Sequence, residues 1–274
     1  MRAIILLTTM SLAMASGLYP PTIPAASALD NGYRQMYNLD FPDAHRTFGA
    51  WKAAHPGDPL GAASDAAAYL FAEFDRLHIL QSEFFTEDRV FKLRSRPAAD
   101  PHTKQEFLKQ LDECERLANA ALARDPRDKN AKFAKILGLG LRSDYLALIE
   151  KRDLQSLSIM KTGRTLALDL LAQDPSCYDA YLAVGVENYM LGIKPAPVRW
   201  VLSWAGSKTD KDEGLRELKL TAEKGHYLEP FARLLLAIAA LRDKDKNKAR
   251  DLLSGLAREF PNNQLYKKEL ARLD

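Results

Sequence analysis

The residues best placed by type to do covalent chemistry lie between Ser143 and Gly163. Ser158-Ile159-Met160-Lys161 sets a hydroxyl three residues from an amine, a spacing at which lysine can relieve a serine nucleophile of its proton. Lys161-Thr162-Gly163 and Ser143-Asp144 supply the other tokens of an acyl-transfer site. That chemistry needs the lysine triplet on a strand facing the serine across a cleft. Here the two motifs share Lys161 inside one helical run, so they cannot face each other. Ser143 also precedes the nucleophile instead of following it. No catalytic residue is expected, and the chain reads as a non-enzyme.

Metal and cofactor chemistry find equally little support. The histidines are His45, His55, His78, His102 and His226, and no two are four residues apart. Asp75 and His78 are spaced to pair on a helix, but zinc asks for three or four ligands. No C-x-x-C, G-x-G-x-x-G, G-x-x-x-x-G-K-[ST] or G-x-S-x-G occurs. Neither a metal nor a cofactor is implied. Glu73 with Asp75, and Asp112 with Glu113, are too close in sequence to face each other on a helix, so they read as solvated faces. Cys114 and Cys177 read as free thiols in or beside helices of different hairpins, although an oxidising compartment would permit a bridge.

The elements that carry these residues repeat. Ala249, Leu253 and Leu256, followed by Pro261, recur as Ala44, Phe48 and Trp51, followed by Pro56. Weaker copies are Cys114, Ala118, Ala121 with Pro126, and Gly163, Ala167, Leu170 with Pro175. A fifth, Gly214, Leu218, Thr221, has His226 where the proline would stand. Steps of four and three residues mark one face of a helix. Partner helices precede these copies: one around Gly32 and Tyr33, one from Ala131 to Glu150, one around Tyr181 and Gly185. Another runs nearly all-apolar from Leu228 to Leu241, with Pro230 in its first turn. A longer helix is expected from Gly61 to Phe85, and Asn262 to Leu273 reads as a closing helix. No stretch alternates long enough to be a strand, so the chain is all-α.

The small-large-large pattern with its trailing proline resembles that of tetratricopeptide-repeat (TPR) proteins. It is most specific at residues 44–56 and 249–261 and covers most of residues 29–274. The resemblance implies a right-handed α-solenoid of antiparallel hairpins with a C-terminal capping helix. It also implies a concave groove, lined by first helices, that holds a protein or peptide partner. On that basis Tyr69, Arg142, Tyr145, Asn188 and Tyr189 are candidate partner-binding residues, the tyrosines having inter-helix packing as their alternative role. Arg199, Trp200 and Trp204 lie in a Pro-led segment that interrupts the repeat. They are candidates for a hot spot or for packing that segment onto the solenoid.

The first 28 residues have one positive charge at Arg2, an apolar run from Ala3 to Leu12, and small-x-small sites ending at Ala15 and Ala28. That is the layout of a cleaved secretory signal, with cleavage expected after Ala28 and Ala15 as the alternative. Residues 29–274 would then form one helical repeat domain in the periplasm or outside the cell. No later run is long enough to span a bilayer. The 274 residues are 47% hydrophobic and 27% charged with a net charge of +3, acids and bases interleaved. No domain-wide basic face argues for nucleic acid; the densest basic run is Arg89, Lys92, Arg94 and Arg96. The expected function is a non-catalytic scaffold for a protein or peptide. The alternatives are an envelope-assembly subunit docking through Trp200 and Trp204, or a hydrolase on a helical scaffold.

Overall fold

The computed structural model describes residues 28–79, 98–192 and 210–273. The leader, the basic run at Arg89–Arg96 and the segment carrying Arg199, Trp200 and Trp204 lie outside these residues. Within them the chain is all-helical. The helices are α1 (Ala28–Tyr37), α2 (Phe41–Ala54), α3 (Pro59–Arg76), α4 (Pro101–Arg124), α5 (Lys129–Asp144) and α6 (Asp153–Gln173). They continue with α7 (Tyr181–Gly192), α8 (Lys211–Lys224), α9 (Glu229–Arg242), α10 (Lys246–Glu259) and α11 (Gln264–Ala271). Successive helices pack as antiparallel hairpins, α1 on α2 through α9 on α10, and α11 closes the last one. None of these helices is long and apolar enough to cross a membrane.

The repeat positions explain the packing. The small-large-large triplets fall on α2, α4, α6, α8 and α10, and every member is buried except the half-buried Trp51. Small residues are demanded where helices touch. A Cβ on Gly32 of α1 would lie 2.3 Å from the Phe48 ring of α2. Gly185 of α7 and Gly214 of α8 meet backbone to backbone, so a Cβ on Gly214 would lie 2.5 Å from the amide nitrogen of Tyr189.

Four of the inter-hairpin turns are copies of one another. Pro56, Pro126, Pro175 and Pro261 each follow the residue whose carbonyl accepts from the amide three positions on: Asp58 to His55, Asp128 to Asp125, Cys177 to Asp174, Asn263 to Phe260. Proline presets φ for the second position of such a turn. Asp58, Asp128 and Asn263 then cap the following helix through their side chains. The fifth turn lacks proline and is held otherwise. The Asp179 carboxylate accepts the backbone amides of His226, Tyr227 and Leu228 at 2.9–3.1 Å.

Two expectations need correction. The helix expected to run to Phe85 stops at Arg76. His78 has φ 54°, a left-handed conformation that ends the helix, and residues 80–85 lie outside the described residues. The long helix expected from Ala131 to Glu150 is α-helical only to Asp144 and finishes as a π-helical turn, Tyr145–Ile149.

The array bends until its first and last repeats meet. The Tyr37 hydroxyl donates to the Tyr227 carbonyl at 3.0 Å, and the Asn263 amide donates to the Tyr37 carbonyl at 2.8 Å. Tyr33 stacks on Tyr227 with centroids 4.7 Å apart, and Tyr37 packs against Phe260. One aromatic core therefore joins residues some two hundred positions apart.

Candidate functional site

The odd-numbered helices from α1 to α9 all contribute to one inner face, and closure of the array narrows it to two neighbouring cavities. The first, about 90 Å³, is lined by Tyr33 and Tyr37 of α1, Phe71 of α3, Phe133, Ile136 and Gly140 of α5, and Leu182 of α7. The second, about 120 Å³, is lined by Phe74 of α3, Ala147 and Leu148 after α5, Tyr189 and Met190 of α7, and Leu235, Ile238 and Arg242 of α9. Asp144, Met160, Val186 and Phe231 line both and form the junction. Each volume is below the roughly 150 Å³ of an apolar cavity that admits benzene. The groove in this form has room for small organic groups, not for the extended peptide that an open repeat array would take.

Asp144 is the polar member of the junction. It ends α5 at the point where the helix widens into its π turn. The described residues give it no hydrogen bond and no ion pair. Asp144 is half-buried, and desolvation by the helices around it pushes its carboxyl up to about 7, because an apolar setting disfavours the charged form. Asp179 also lines the first cavity, but its oxygens are taken by the three amides of the fifth turn. Burial raises that carboxyl too, and the amides partly oppose the shift.

The sequence-derived candidates separate in space. Tyr145 and Tyr189 are buried between helices, each with its hydroxyl lacking a hydrogen-bond partner. The burial of both follows the packing alternative, and Tyr189 in addition walls the second cavity. Asn188 is buried and donates to Glu217 at 2.8 Å. Arg142 pairs with Asp112 of α4 at 2.9 Å. Tyr69 stands on the opposite side of α3 from the cavities, its ring centroid 4.0 Å from that of His45. Only Tyr189 of these five reaches the inner cavities.

Tyr69 borders a polar cluster that the sequence does not advertise. Buried Asp65 of α3 holds His45 at 2.6 Å and Lys52 at 2.5 Å, and Lys52 also donates to Gln110 of α4. His45 and Lys52 are seven residues apart on α2, a signal for one face, but their shared acid is on another helix. The histidine near the other end, His226, meets Asp30 at 2.6 Å on the surface. Glu73, read above as part of a solvated face, is instead buried. It pairs with Arg76 at 2.7 Å and accepts the Asp100 amide at 2.9 Å, which anchors the start of α4 on α3. Among the described residues no group of three His, Cys, Asp or Glu is placed to hold a metal ion.

Ser158, Lys161, Thr162 and Gly163 all sit on α6, as their shared run implied. Ser143 is buried against Ser156, with their hydroxyl oxygens 2.9 Å apart. The outer face of α6 is unusual in another way. Leu154 is 86% exposed and Leu168 42%, the two large apolar side chains that stand out among the described residues. Between them, exposed Thr162 and Thr165 turn their hydroxyls back to the carbonyls of Ser158 and Lys161. Their methyl groups then extend a stripe of low charge that ends at Ala172, with Asp169, paired to Lys132, as its one exposed charged residue.

No protein-family model matches the chain, and no curated protein sequence is significantly similar to it.

Proposed function

We propose that the protein is a non-catalytic scaffold of TPR type, a right-handed solenoid exported from the cytoplasm, that binds a protein partner through the outer face of α6. The stripe from Leu154 to Ala172 carries this reading. It spans about five helical turns, or roughly 27 Å at 1.5 Å per residue. Among its exposed members, Leu154, Ser158, Thr162, Thr165, Leu168, Asp169 and Ala172, Asp169 alone is charged, and it is paired with Lys132 of α5. A solvent-facing helix ordinarily puts charged residues on that side. The matching occupant is an amphipathic helix of the partner, laid along the stripe with apolar anchors one and two turns apart.

The test is capture of a partner by the full chain from an envelope fraction, compared with a variant carrying Leu154→Lys and Leu168→Glu. The variant should lose the partner while its stability stays within about 0.5 kcal/mol, since both side chains are at the surface. A variant that retains the same partner at the same level overturns the proposal.

A further inference from the structure

The groove at the centre of the array has a chemical preference that is independent of any protein bound outside it. Its junction is apolar on three sides, formed by Met160, Val186 and Phe231. The fourth side is the Asp144 carboxyl, which has no hydrogen bond or ion pair among the described residues. An unpaired acid in such surroundings is costly to ionise. Water at the junction would find a single polar group where it needs two to four. The two cavities diverge from this point, so an occupant seated there has space for an apolar arm on either side.

We propose that the groove binds a small organic cation, a protonated amine placed against the Asp144 carboxylate with its apolar arms in the two cavities. An anion of the same shape would face the carboxylate, and a neutral molecule would leave it unpaired. Met160 and Met190 give the walls a soft, adaptable lining. The Tyr189 hydroxyl, buried and without a hydrogen-bond partner, offers a second polar contact in the larger cavity. Gly140 lines the first cavity, is itself exposed and has no atom within 4 Å of where a Cβ would be, so this side of the groove is open to an entering ligand. The other charged groups on the walls are Asp179, held by backbone amides, and Arg242 of α9.

The experiment titrates heptan-4-amine, the neutral heptan-4-ol and the anion 2-propylpentanoate, each with two propyl arms about its polar group, into the full chain by calorimetry, with and without Asp144→Asn. The amine should bind about tenfold or more tighter than the alcohol, the increment of one charge-assisted hydrogen bond. The anion should bind weakest. Asp144→Asn should erase the preference for the amine while leaving the alcohol within about twofold, which also shows the groove intact. In the wild-type chain, amine affinity should rise about tenfold between pH 5.5 and 8 as the carboxyl ionises, and the asparagine variant should lose that slope. Equal binding of amine and alcohol, a flat pH profile, unchanged amine affinity in the variant, or no binding of either probe at millimolar concentration each overturns the proposal.

Discussion

Asp144 and Asp179 are both acids within the fold, and their surroundings give them opposite roles. Asp179 receives three backbone amides and so replaces the proline missing from the fifth turn. Asp179→Ala would strand those amides, and we expect a loss of about 2–4 kcal/mol in urea unfolding. Asp179→Asn, keeping one acceptor oxygen, should cost about half as much. Asp144 receives no hydrogen bond from the described residues, so its charge is a burden. Its folded pKa, about 7, lies above the unfolded value, and the group therefore stabilises fully below about pH 4. That contribution is lost as pH rises through 7. Asp144→Asn should accordingly raise stability by roughly 2–4 kcal/mol at pH 8, at about 1.4 kcal/mol per pH unit of displacement, and change little at pH 4. A variant no more stable than the wild type at pH 8 would mean that the carboxyl is solvated. The thiols follow the same physics: burial pushes Cys114 up to about 12 and Cys177 up to about 11. Neither should be alkylated by iodoacetamide at pH 7.5 until urea is added, because the thiolate is the reacting form.

Helix pairs carry the second tier of information. The triplets on the even-numbered helices and the four proline turns were legible from spacing alone, because both are local rules. A helix face obeys a 3.6-residue period, and a turn obeys the φ that proline imposes. The contacts made by Asp144, Asp65 and Glu73 were not legible, because each depends on which helix arrives from elsewhere. Asp144 in particular reads in sequence only as a fragment of an acyl-transfer motif. Glycines show the same divide. Gly138-Leu139-Gly140 reads as a close-packing signal, and a Cβ on Gly138 would meet the Cys114 Sγ at an ordinary 3.5 Å. Gly140 approaches nothing. Gly140→Ala should therefore stabilise the protein by up to about 1 kcal/mol, the helix-propensity difference. Gly214→Ala should destabilise it by about 2–3 kcal/mol or more, because its new methyl group would meet the α7 backbone and not a side chain that can turn aside. Thermal melts of the pair give a direct comparison within one molecule.

Across the whole molecule, closure distinguishes this array from an open one. An open solenoid behaves as a chain of nearest-neighbour units that can fray from either end. Here the Tyr37 hydroxyl, the Asn263 amide and the Tyr33–Tyr227 stack tie the first hairpin to the last three helices. Amide hydrogen exchange should show α1 and α9 opening with the same free energy. Tyr37→Phe should lower both by about 1 kcal/mol, the worth of one hydrogen bond. Unequal protection of the two helices would show that the ends fray independently. Closure also fixes an order of events during synthesis. Residues 28–37 are made early, and Phe48 and Phe71 cover one side of Tyr33 and Tyr37, yet the rest of their cover is contributed by Tyr227 and Phe260. At roughly 5–20 residues per second, the first helix waits on the order of ten seconds or more with its aromatic side partly uncovered. The nascent chain must be shielded for that interval, so stalling shortly before residue 227 should yield an aggregation-prone product even though most of the hairpins have already been made.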